Sequence, residues 1–113
     1  MSESFKTYVP RNVSEIMELL GWMMLASPDF EDHSGYFPDR NADTEFYALN
    51  EGFKNIRKKL GEDRLAALLT LSDRARAHFE ADPNNETDDT LAGRRLIAEM
   101  EDIVTGKVRP EVN

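Results

Sequence analysis

Between positions 46 and 60, the apolar residues Phe46, Leu49, Phe53, Ile56 and Leu60 recur at steps of three, four, three and four. This spacing puts all five side chains on one stripe of an α-helix. On a strand, with its period of two, they would be split between both faces. An amphipathic helix must bury its stripe against something, so the middle of the chain calls for a helical core. Three other segments repeat the pattern. Val13, Ile16, Met17, Leu20, Met23 and Met24 form one stripe, and Leu65, Leu68, Leu69, Ala75 and Phe79 another. Leu96, Ile97, Met100, Ile103 and Val104 form the last, and no stretch reads as a convincing strand.

Capping residues set the boundaries. Asn12 with Glu15 reads as a capping box opening a helix over 13–26, which Ser27-Pro28 ends. Asp43 or Thr44 is the expected cap of a second helix running to Leu60, with Gly61 at the C′ position. Glu62 and Asp63 open a third over 62–81, and so short a connection predicts an antiparallel hairpin. After the polar loop 82–89, Thr90 or a neighbouring Asp caps a fourth helix that Gly106 ends. Residues 1–11, with Phe5, Tyr8 and Val9, read as an extended arm and 107–113 as a frayed tail. The expected architecture is all-α, a single domain over 1–113. It is a compact bundle of about four helices with a long acidic–aromatic loop between the first two. The 113 residues suffice for one core and not for two. Gly21, Gly52 and Gly93 fall inside helices, where each costs about 1 kcal/mol relative to Ala. Close helix–helix approach would justify them, and tolerated surface glycines are the alternative.

Charge narrows the function. Twenty-two Asp and Glu oppose 14 Lys and Arg, a formal net charge of -8. Binding a polyanion relies on cations, so direct nucleic-acid binding and anionic membrane surfaces are both disfavoured. A basic protein partner is favoured. With no cysteine, disulfides, thiolate metal sites and thiol nucleophiles are excluded. The N-terminus lacks the basic and apolar regions of a signal peptide, and the stretch 16–26 is too short to span a bilayer. A cytoplasmic location is the expectation.

The acids are concentrated. Residues 29–45 and 80–89 hold eleven of the 22, and the first segment contains one base, Arg40. In that segment Asp29, Glu31, Asp32 and Asp39 interleave with Phe30, Tyr36 and Phe37. One reading is a solvated loop whose aromatics fold back onto the core. The other is a docking surface, with aromatics as anchors and acids steering a basic partner. The first helix adds a second candidate contact. Leu19, Trp22 and Leu25 lie outside its main stripe, so either the arm and loop cover them or a second copy does, in a homodimer.

Other constellations are weaker. Asp82, Asn84, Glu86 and Asp88 alternate like the oxygen ligands of a calcium-binding EF-hand loop, but Thr87 and Gly93 stand where its glycine and bidentate Glu belong. His33 and His78 lack the spacing and partners of a zinc site. Lys54, Arg57, Lys58 and Lys59 read as a solvated, dipole-matched helix end, with a small anion or phosphate site as the alternative. No nucleophile elbow, P-loop or dinucleotide fingerprint occurs, so catalysis finds little support and no cofactor is expected.

In size and charge the chain is similar to bacterial immunity proteins that neutralise toxic nucleases. That resemblance covers no motif, and no residue is carried over from it. The functional expectation is a small acidic protein-binding module, of inhibitor or immunity type, for a basic partner. The alternative is a small metal- or ligand-binding helical protein with weak or no catalytic activity, motivated by the carboxylates of 29–43 and 82–89 with His33.

Overall fold

The computed structural model describes residues 8–36 and 39–107. All regular structure among them is helical: α1 (Val13–Ala26), α2 (Ala42–Asn55), α3 (Arg57–Leu60), α4 (Glu62–Ala81) and α5 (Asp89–Val104). The all-α expectation stands, with five helices in place of about four. The apolar seam through Leu60 is not one helix. It breaks at Ile56, whose φ of -106° and ψ of 23° leave the helical region, and both Ile56 and Leu60 remain buried across the break. Gly61 then turns the chain at φ 85° and is at once the end of α3 and the cap of α4. That left-handed conformation is open to glycine without steric cost.

The helix starts are built from short side-chain hydrogen bonds. At α1, Asn12 accepts from the Glu15 N–H at 2.9 Å. The Glu15 carboxylate reaches back one residue beyond the cap, to the Arg11 N–H at 2.8 Å. At α2 the cap is Asn41, not Asp43 or Thr44. Its side chain accepts from the Thr44 N–H, and the Thr44 hydroxyl accepts from the Asn41 N–H, each at 3.0 Å. The sequence expectation missed this because it placed the helix start two or three residues late.

The core gathers every seam. Ile16, Leu20 and Met23 of α1, Phe46, Leu49 and Phe53 of α2, Leu68 and Phe79 of α4 and Ile97 and Met100 of α5 are wholly or almost wholly buried. At its centre three phenylalanines from three segments meet, Phe30 edge to face with the other two. Phe30, from the segment between α1 and α2, lies 5.3 Å from Phe46 and 5.0 Å from Phe79, with interplanar angles of 83° and 82°. Two of the three internal glycines are explained by close approach. A Cβ on Gly93 would lie 2.6 Å from the Phe79 ring, and one on Gly52 would meet Pro10 at 3.1 Å. Nothing lies within 4 Å of such a Cβ on Gly21. Pro10 is itself held, since the Asn55 side-chain amide donates to its carbonyl at 2.8 Å. At the other end of α1, Arg94 of α5 donates to the Ser27 hydroxyl at 2.8 Å and the Ser27 carbonyl at 3.0 Å. Phe5 and residues 108–113 of the expected arm and tail lie outside the described residues.

Gly93→Ala should destabilise the protein by about 1–3 kcal/mol, because the added methyl overpacks the aromatic centre. Gly21→Ala meets open space and should stabilise by about 0.5–1 kcal/mol through helix propensity. Urea denaturation of the two variants checks the pair, and equal effects would refute the close-approach argument.

Candidate functional site

The segment between α1 and α2 carries most of the residues expected to dock a partner. Phe30 is withdrawn from that set. Its ring is 0% exposed in the aromatic centre, and its backbone adopts φ 57° to place it there. For a bulky residue that conformation costs about 1–3 kcal/mol. Burying the ring returns about 1.5–3 kcal/mol, and each of its two edge contacts about 0.5–1.5 kcal/mol more. Burial therefore wins, and the loop is anchored by a core residue. Around this anchor Asp29, Glu31 and Asp39 stay exposed, Asp32 is half-buried, and Tyr36 is 82% exposed. Phe37 lies outside the described residues.

Arg40, the segment's one base, turns inward. Its guanidinium lies 3.8 Å from the centroid of the Trp22 ring, and its Nη2 lies 3.3 Å from Oε1 of Glu45. Glu45 is fully buried. Burial pushes its carboxyl above the ordinary value, while the Thr44 hydroxyl and Arg40 pull the other way. Apart from this ion pair, Oε1 has no hydrogen-bond partner among the described residues. Oε2 faces the Thr44 hydroxyl at 2.9 Å. Sequence reading noted Arg40 only as the lone base, because nothing local announces a pairing with Glu45 or a stack on Trp22.

The inward turn of Arg40 also bears on the dimer contact. Trp22 is half-buried beneath the guanidinium, and Leu19 is buried in the core at 8% exposure. The chain itself therefore covers two of the three residues for which a second copy was the alternative cover. Leu25 alone stays open, at 85%.

Beside Trp22 a pocket of about 270 Å³ opens between the arm, α1 and the loop. It is lined by Tyr8, Pro10, Glu15, Glu18, Leu19, Trp22 and Arg40. The Tyr8 hydroxyl donates to Glu15 at 2.8 Å. Hydrogen bonds from the Arg11 N–H and from Tyr8 hold the Glu15 carboxyl below its ordinary value.

Two further groupings complete the acidic surface. Asp29, Glu31 and His33 offer one ligand atom each, within 4.8 Å of one another and all exposed. Asp29 accepts from the Glu31 N–H at 2.9 Å and lies 3.3 Å from His33 Nε2. The second grouping is the loop after α4, with the EF-hand-like spacing. There Asp82 is buried, and its carboxylate accepts from the N–H groups of Glu86, Thr87 and Thr90 and from the Thr90 hydroxyl. Burial pushes its pKa up, but these donors outweigh burial and bring it down to about 2. Asp82 is thus the hub of the loop and caps α5 from a distance, a role expected of Thr90 or a nearby Asp. A carboxylate saturated by its own chain has no lone pairs to spare for a calcium ion. His78 Nδ1 lies 2.8 Å from Asp89 across the α4–α5 junction.

No family model, curated protein or solved structure matches the chain. No helix among the described residues is long and apolar enough to cross a membrane.

Two outcomes follow from this geometry. Removing the guanidinium in Arg40→Ala strands the buried Glu45 and should cost about 3 kcal/mol at neutral pH. Denaturation that shows no more than a surface-substitution effect would disprove the tether. For Asp82, the folded pKa lies below the unfolded value of about 3.9. Its stabilisation is therefore complete above the unfolded value and is lost as pH falls through the folded one. The stability gap between wild type and Asp82→Asn should be constant above about pH 5 and shrink toward pH 2, as urea midpoints across that range would reveal.

Proposed function

We propose that the protein is an acidic protein-binding module, of inhibitor or immunity type, that docks a basic partner through the segment between α1 and α2. One observation carries this reading. Arg40 faces Trp22 and Glu45, so the segment turns its single base inward, while Asp29, Glu31, Asp39 and Tyr36 are exposed. Acids at an exposed rim act mainly on association rate and on choice of partner. An aromatic side chain standing in water is the residue type that supplies contact area when desolvated. Phe30 supports the surface from beneath and does not touch the partner. The formal net charge of -8 adds a long-range field of the same sign.

Association with a partner isolated by affinity capture should slow by about tenfold or more from low to physiological salt, since the Debye length shrinks to about 8 Å. The triple variant Asp29→Asn, Glu31→Gln, Asp39→Asn should slow it similarly at low salt and leave the dissociation rate nearly unchanged. Stopped-flow rates that ignore both salt and these substitutions would remove the reading.

A second reading has its own observation. The ligand atoms of Asp29, Glu31 and His33 lie close enough together to share one ion, and a set of one imidazole and two carboxylates suits a divalent metal such as zinc or manganese. Calorimetric titration with Zn²⁺, Mn²⁺, Mg²⁺ and Ca²⁺ decides it. Micromolar binding that disappears in His33→Ala would raise this reading above the first, and millimolar or no binding would end it.

A further inference from the structure

We infer that the pocket beside Trp22 receives one lysine or arginine side chain of the basic partner, which makes it the specific anchor within an otherwise diffuse acidic surface. This rests on the proposed protein-binding function and gives it an address. The pocket, at about 270 Å³, is of the size of a long side chain and is lined on its apolar side by Pro10, Leu19 and Trp22. Those groups suit the methylene stem of a basic residue, which buries its carbons and keeps its charge at the rim.

The charges at the rim are unequal in availability. Arg40 is committed to the buried Glu45 and to the Trp22 ring. Glu15 is engaged by the Tyr8 hydroxyl and the Arg11 N–H, with the positive charge of Arg11 beside it. Glu18 also lines the pocket, and its carboxylate has no hydrogen-bond or ion-pair partner among the described residues. It stands four residues before Trp22 on α1, on the same side of the helix. A cation seated over Leu19 would therefore find one uncommitted carboxylate, in a site whose other charges are already balanced. An anionic ligand would meet Glu15 and Glu18, and the one cation in the pocket lining, Arg40, is already committed.

Trp22 is the chain's sole tryptophan, so its fluorescence reports on this pocket alone. The experiment titrates the full-length protein with pentalysine at low ionic strength. Trp22 emission and calorimetric heat are followed together. Three proteins are compared: wild type, Glu18→Gln, and Glu99→Gln, the last removing an exposed acid of α5. The expected result is a saturable change in Trp22 emission whose affinity falls about threefold to fivefold in Glu18→Gln, the range for a single partly exposed charge pair, and holds in Glu99→Gln. Both substitutions lie at exposed helix positions, and circular dichroism confirms that the fold is kept. Calorimetric binding without a Trp22 signal, or with equal losses in the two variants, overturns the anchor and leaves the acidic docking surface standing. No binding of pentalysine by either readout overturns both.

Discussion

Phe30 is the point on which the arrangement depends. It lies outside the helices, yet its ring occupies the middle of the core, edge-on to Phe46 of α2 and Phe79 of α4. Phe79 in turn fills the space left by the missing side chain of Gly93 on α5. One aromatic cluster therefore joins the loop to three helices. Close-packed interiors transmit such constraints because they hold few voids into which a misplaced ring could relax. The acidic segment is consequently tied down at its start by Phe30 and near its end by Arg40, and what lies between is presented from a fixed base.

The same constraint separates support from surface. Residues that alternate along a loop are free to face opposite ways, and here Phe30 and Arg40 face in while Asp29, Glu31, Asp39 and Tyr36 face out. Phe30 and Arg40 stabilise the segment, and Asp29, Glu31 and Asp39 are left to solvent. The loop after α4 follows a different rule. Asp82 folds it by accepting hydrogen bonds from its own backbone, so one of its acids is structural. Acid density alone does not distinguish the two loops. Burial does: Asp82 is buried among its donors, while Asp29, which also accepts from its own loop's backbone, stays exposed.

Arg40 and Glu45 form the least typical contact in the protein. A carboxylate buried completely is expensive unless it is paired, and here the partner is itself shared with an indole ring. A leucine at position 45 would fill similar space without that cost. The pair instead fixes where the end of the loop meets α1, and so shapes the wall of the pocket beside Trp22.

Much of the fold was legible in local sequence. The stripes of α1, α2, α4 and α5 follow from apolar spacing, the start of α1 from Asn12 and Glu15, and the turn after Leu60 from Gly61, because caps and periodicity involve residues a few positions apart. What the tertiary structure alone decided spans longer separations. These are the burial of Phe30, the stack of Arg40 on Trp22, the capture of Ser27 by Arg94, and the difference between Gly93, which is crowded, and Gly21, which is open. In each case the sequence offered a residue able to play two roles. Which role it took was set by what the other helices left unfilled around it, and that depends on packing in three dimensions and not on neighbours along the chain.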